Sequence, residues 1–262
     1  MLGSDALLKA FSLENKTALV TGAGSGLGAM ISLALARAGA YVVAWGKTPA
    51  GLIETVKNIE ITLGAKRARY YSLDITDGGQ RERAYRQLQK DGCHIDILVN
   101  AAGINLRVPA GDMTAEDWDK TISVNLSAPF HLSQYFAPLM AHEKAWGRII
   151  NISSLQCKRA FPDSIPYGAS KGGVEQLTRA LAEAYSPDGV LVNAIAPGFF
   201  LTKLTASLFE QQNVVDALAA KTMVGRNGVA TDIFGISVFL SSEACGYITG
   251  QTIFLDGGFS AK

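Results

Sequence analysis

Apolar runs of strand length alternate with amphipathic stretches of helix length along most of the chain. Thr17–Gly22 (TALVTG) is the first such run, and Leu27–Ala38 behind it is an Ala- and Leu-rich helical stretch. Tyr41–Trp45, Ala68–Leu73, Ile95–Ala101, Arg148–Ser153, Val190–Ile195 and Gln251–Leu255 repeat the strand pattern, with Leu52–Leu63 as a second helical stretch. Runs that are apolar at nearly every position belong to strands buried on both faces. Strands alternating with helices form βαβ units, whose right-handed crossovers cover both faces of a parallel sheet. The pattern predicts one α/β domain over residues 1–262, a Rossmann-type, doubly wound parallel sheet of about seven strands. Phe199–Thr222 departs from the alternation: it is helical in pattern but sits between two strand regions, after Pro197-Gly198. Ligands of open α/β sheets bind beyond the carboxyl ends of the strands, so 199–222 is expected to be a substrate lid.

Composition narrows the function. Apolar residues make up 48% of the 262 and charged residues 18%, the balance of a folded globular chain. A net charge of +1 lacks the basic footprint of a nucleic-acid binder, and no Lys/Arg run addresses an anionic membrane. No apolar stretch reaches the length of a membrane span, and Met1–Leu13 has no leader pattern, so a cytoplasmic location is expected. Cys93, Cys157 and Cys245 are too far apart for a disulfide framework or zinc motif. His94, His131 and His142 do not stand at ligand spacing, so no metal is expected.

The first strand runs into Thr21-Gly22-Ala23-Gly24-Ser25-Gly26-Leu27-Gly28. Glycines let the main chain turn tightly and approach a pyrophosphate, and the following helix directs its free N–H groups at that anion. The spacing misses G-x-G-x-x-G, because Leu27 stands where the last glycine belongs, but it fits T-G-x-x-x-G-x-G. Downstream, Tyr167-Gly168-Ala169-Ser170-Lys171 forms Y-x-x-x-K, with Ser154 and Asn125 upstream of it. These motifs, in this order, resemble the short-chain dehydrogenase/reductase family over essentially the whole chain.

The resemblance implies hydride transfer between a nicotinamide dinucleotide and a carbonyl or alcohol carbon, with Asn125, Ser154, Tyr167 and Lys171 as the catalytic set. It implies a cofactor site made by Gly22, Ser25, Gly26, Leu27 and Gly28, by Asp74 and Ile75 at the adenine, and by Asn100, Ala101 and Gly103 beside the central strand. Tyr167, Lys171, Pro197, Gly198 and Thr202 meet the nicotinamide half in this family. A homotetramer built through the helices containing Asn125–Met140 and Tyr167–Tyr185, and through the C-terminal strand, is implied as well.

Residue chemistry agrees with those roles. A tyrosine phenol has a reference pKa near 10, and a nearby cation favours the phenolate. Positions four apart share a helix face, so Lys171 is expected beside Tyr167, lowering its pKa. Ser154 would hold the reacting oxygen, and Asn125 would position a water between Lys171 and solvent. The second strand ends at Gly46, where a carboxylate would hold a ribose hydroxyl and repel a 2′-phosphate, and Lys47 follows. This favours NADP, with NAD still open.

Ser154, Gln156, Arg107, Arg159, Tyr167 and Phe199 are expected around a small-molecule substrate, with Arg107, Lys158 and Arg159 available to a carboxylate or phosphate. Phe11–Lys16, the Asn105–Arg107 region and the chain's last residues look similar to sugar-acid dehydrogenases of the family, such as those acting on gluconate or deoxyketogluconate. A sugar, polyol or sugar acid is therefore expected as substrate. A 3-oxoacyl carrier-protein reductase is the alternative within the class, and a non-catalytic dinucleotide-binding regulator the alternative outside it.

Overall fold

The computed structural model describes residues 4–202 and 204–262. Seven strands form one sheet: β1 (Thr17–Thr21), β2 (Tyr41–Gly46), β3 (Ala68–Ser72), β4 (Ile97–Asn100), β5 (Gly147–Ile152), β6 (Val190–Pro197) and β7 (Thr252–Leu255). Their order is β3-β2-β1-β4-β5-β6-β7, and every pairing is parallel. The helices are α1 (Ser4–Ala10), α2 (Gly26–Arg37), α3 (Pro49–Leu63), α4 (Gly78–Lys90), α5 (Ala115–Ile122), α6 (Ala128–Lys144), α7 (Ile165–Tyr185), α8 (Ala206–Phe209), α9 (Gln212–Ala220) and α10 (Asp232–Ser241).

Alternate strand residues feed two cores. Ala18, Val20, Val42 and Ala44 pack with Ile31 and Leu35 of α2, Ile59 of α3 and Ile233 of α10. Leu19, Val43 and Trp45 face the other way, onto Leu88 of α4, Leu132 and Phe136 of α6 and Leu181 of α7. The strand pattern is therefore apolar throughout because both faces are covered.

Predicted boundaries shift by a few residues. The second helix begins at Pro49 rather than Leu52, because proline at the first helical position has no amide to lose. The fourth strand is shorter than 95–101, since the chain leaves the sheet at Asn100 for the cleft described below. The 199–222 segment holds two short helices, α8 and α9. The strand order reverses between β1 and β4, which leaves a crevice beyond their carboxyl ends. No helix among the described residues is long and apolar enough to cross a membrane.

Candidate active site

A continuous cleft of about 400 Å³ opens at that reversal. At one end lies the glycine turn. Gly22 has φ +64°, and a Cβ there would stand 2.7 Å from the Ala102 Cα. A Cβ at Gly28 would overlap the Gly22 carbonyl oxygen, so α2 can start this close to β1 only without a side chain. The Thr21 hydroxyl accepts from the amides of Ala101 (3.1 Å) and Ala102 (3.2 Å), tying the turn to the end of β4. Ser25 precedes α2 with extended backbone and makes no side-chain cap, which leaves the first-turn amides facing the cleft. A side-chain-free cradle with uncapped amides suits a phosphate.

Farther along this end, Lys47 Nζ donates to Asp74 Oδ2 at 2.9 Å. Asp74 also accepts from the amide (3.0 Å) and hydroxyl (2.7 Å) of Thr76. The lysine hydrogen bond, outweighing partial burial and helped by Thr76, holds the Asp74 carboxyl down at about 2. Lys47 itself is raised by the same bond and remains largely solvent-exposed.

Tyr167 and Lys171 occupy successive turns on the buried face of α7. Both are nearly inaccessible, at 8% and 4%, yet both border the cleft. Lys171 Nζ lies 5.5 Å from the centroid of the Tyr167 ring and donates to the Ile152 carbonyl at 2.7 Å. Burial pulls the Lys171 ammonium down to about 8. Burial also raises the Tyr167 phenol, against the opposing effects of a hydrogen bond with Ser154 and the charge of Arg107. The expected lowering of the tyrosine is therefore reversed here: desolvation of the phenolate outweighs Ser154 and the Arg107 charge. Ser154 follows β5, and its hydroxyl accepts from the Gln156 amide at 3.1 Å.

Asn125 sits in a π-helical turn, Ser123–Ser127, that joins α5 to α6 and turns its side chain inward. Its Oδ1 accepts from the Ile104 amide (2.9 Å), and its Nδ2 donates to the Ile104 carbonyl (2.9 Å) and the Ser170 hydroxyl (3.1 Å). Ser170 in turn donates to the Tyr167 carbonyl at 2.7 Å. Asn125 thus staples the loop after β4 to the Tyr167–Lys171 turn of α7. A side chain at Gly103 would come 3.4 Å from Asn125 Oδ1 and 3.7 Å from Lys171 Nζ.

The structure gathers most of the expected site around this cleft: Gly22, Ser25–Gly28, Lys47, Asp74, Ile75, Ala101, Gly103, Arg107, Ser154, Gln156, Pro197–Phe199 and Thr202 all line it. Four expected residues do not: Asn100, Asn125, Lys158 and Arg159. Asn100 is buried, with Nδ2 donating to Asn151 Oδ1 (2.8 Å) and Ser133 (3.4 Å), because its side chain points into the polar interior between β4 and β5. Arg159 reaches away from the cleft to the main-chain oxygens of Ser260 (3.0 Å) and Lys262 (3.3 Å). Lys158 pairs with Glu175 at 4.0 Å. Leu204 and Thr205, in the segment expected to cover the substrate, line the cleft too, and Lys120 lines it without having been expected. Lys120 is one charge on an ordinary amphipathic helix, and nothing in its spacing marks it. Arg107 borders the cleft in the left-handed region, φ +55°, unusual for a side-chain-bearing residue. No His/Cys/Asp/Glu group of metal-binding size occurs among the described residues.

A family model described as enoyl-(acyl carrier protein) reductase, within the short-chain dehydrogenases, matches residues 22–260. A gluconate 5-dehydrogenase of Gluconobacter oxydans is 36% identical over 96% of this chain and 97% of its own length. A 3-oxoacyl-[acyl-carrier-protein] reductase of Thermotoga maritima is 36% identical over 94% of this chain and 98% of its own. The crystal structure of a gluconate 5-dehydrogenase from Burkholderia cenocepacia, in complex with NADP and tartrate, superposes with a TM-score of 0.91 at 33% identity, covering 98% of this chain and 99% of that one.

Proposed function

Because the chain belongs to the short-chain dehydrogenase/reductase family, we propose that it is an NADP-dependent oxidoreductase interconverting a secondary alcohol and a ketone on a sugar acid. The observation that carries the reading is one cleft bordered by the glycine cradle at one end and by Ser154, Tyr167 and Lys171 at the other. Bound in the cradle, the dinucleotide would supply or accept the hydride. Gly22–Gly28 and the α2 amides would hold its phosphates, and Asp74 and Ile75 its adenine. Lys47, beside a β2 end with no carboxylate, would meet a 2′-phosphate in place of Asp74.

The chain's own residues handle the proton. Ser154, which borders the cleft beside Tyr167, would hold the reacting oxygen against it. At neutral pH the raised phenol keeps its proton and gives it to a carbonyl oxygen. Lys171, held at about 8, can pass on a proton in the same range. Reduction is thereby served at neutral pH, and alcohol oxidation speeds up as pH rises toward the phenol's range.

A sugar-acid substrate is supported by Arg107, which places a cation at the substrate end and acts on the Tyr167 phenol, and by the gluconate 5-dehydrogenase relatives. Residues 199–222 are taken as its lid, because Phe199, Thr202, Leu204 and Thr205 lie along the cleft. A homotetramer is supported by the exposed apolar residues Trp118, Phe130, Leu139 and Ile165 on α5, α6 and α7. A cytoplasmic location belongs to the same proposal. Acyl-ketone reduction is the second reading, favoured by the Thermotoga maritima relative.

Turnover of gluconate-type acids, polyols and 3-oxoacyl thioesters, each with NADP(H) and NAD(H), decides among these. The expected result is turnover of a sugar acid with NADP(H) preferred. Activity confined to the thioester would establish the second reading. Tight dinucleotide binding without any turnover would favour a non-catalytic dinucleotide-binding regulator.

A further inference from the structure

The wall of the substrate end is held from behind by residues that do not line the cleft. Phe199 borders the cleft after β6. Behind it, Phe161 lies 5.7 Å away, centroid to centroid, and Phe259 also 5.7 Å, with Phe161 and Phe259 6.2 Å apart. Three loops, after β5, β6 and β7, thus meet in one aromatic triad. The loop after β7 is itself fixed: the Asp256 carboxylate, 8% exposed, accepts from the amides of Gly258 (3.0 Å) and Ser260 (2.8 Å). Arg159, five residues beyond Ser154, closes the circuit through its bonds to Ser260 and Lys262.

We propose that Phe259 and Arg159 are positioning residues for the substrate end, a clasp that sets where Phe199 and the Ser154–Phe161 loop stand. The proposal rests on the reading of that end as the substrate's. It also reassigns Arg159, whose charge serves main-chain oxygens instead of a ligand. Phe259 and Arg159 reach the cleft through Phe199 and the loops after β5 and β7, so their effects should fall on substrate affinity. Aromatic pairs contribute more than exposed hydrogen bonds, so Phe259 should dominate and Arg159 should follow.

The test uses the full chain, with hydrogen exchange and kinetics read together. In Phe259→Ala, amides of 199–202 and 155–161 should exchange roughly tenfold faster, and KM for whichever substrate the wild type turns over should rise about tenfold, from the loss of two ring pairs. Arg159→Ala should give roughly two- to threefold effects, the size of an exposed hydrogen bond. Phe259→Tyr and Arg159→Lys, which keep the ring and a donor, should return most of the protection and of KM. NADPH affinity and kcat should stay within about twofold in all four, well below a single lost hydrogen bond to a charged group. Unchanged exchange at 199–202 in Phe259→Ala overturns the clasp, as does a parallel loss of NADPH affinity, which would mark general unfolding. The exchange arm needs no substrate. A wild type that turns over no sugar acid therefore sinks the functional reading while the clasp is still decided.

Discussion

The end of the cleft proposed for the dinucleotide is made largely of main chain: a glycine turn, strand ends and the uncapped amides of α2. The end proposed for the substrate is made of side chains from separate loops: Arg107 after β4, Gln156 after β5, Phe199 after β6. Main chain is fixed by the fold and can serve one generic ligand, whereas loop side chains can be exchanged without disturbing the sheet. Ser154, after β5, and Tyr167 and Lys171, on α7, border that second end on rigid elements instead of on loops that can be exchanged.

That separation is tested hardest at Tyr167. Tyr167→Phe removes the proton donor but keeps the ring that fills the buried site. The expected loss in kcat is about 10²–10⁴-fold, the usual contribution of a positioned acid or base. Dinucleotide affinity, measured by fluorescence titration, should be unchanged. If the affinity fell with kcat, the two ends would not be separable and the Tyr167 hydroxyl would also hold the dinucleotide.

Lys171 gives the next largest effect, and it appears in stability. Its ammonium is lowered from 10.5 to about 8 by burial, so between those values the unfolded chain binds more protons and stability rises with pH. Below about pH 8 the folded state carries the full penalty of the buried charge, about 3 kcal/mol. Tyr167 acts in the opposite sense: its raised phenol contributes fully below pH 10 and that contribution is lost above its own range. Lys171→Met removes the charge penalty and also the bond to the Ile152 carbonyl, worth about 1 kcal/mol. The variant should be inactive yet melt higher at pH 7 by roughly 5 °C, with the gain shrinking toward pH 10. A lower melting temperature at pH 7 would mean that the Ile152 bond outweighs desolvation.

The sheet and the cradle were legible because both depend on local rules. Apolar runs require covering on two faces, and Gly22 and Gly28 stand where any side chain meets main chain. Tyr167 and Lys171 were legible from a helical spacing that brings them to one face. What stayed hidden depends on distant parts of the chain. Arg159 was grouped with Arg107 because both are loop cations near the signature, but only the β7 loop determines that Arg159 turns outward. Lys120 lines the cleft because α5 happens to pass its mouth. Burial of Tyr167 likewise comes from the assembled tertiary structure, so its pKa direction could not be read from the neighbouring lysine.

The smallest effect concerns Lys47, and it sharpens the comparison because here a side chain intervenes at the main-chain end. Its ammonium is exposed and already paired with Asp74, so it can turn to a 2′-phosphate at little penalty, exchanging one anion for another. Lys47→Ala should weaken NADPH binding about tenfold, the low end for a charge-assisted bond because solvent screens it. NADH binding should change little, since that dinucleotide has no phosphate to lose. Salt should mimic the substitution, with NADPH affinity of the wild type falling toward that of the variant as ionic strength rises. Equal loss for both dinucleotides would instead place the importance of Lys47 in its pairing with Asp74, at the adenine, and would leave the choice between NADP and NAD to Gly46 and the main chain.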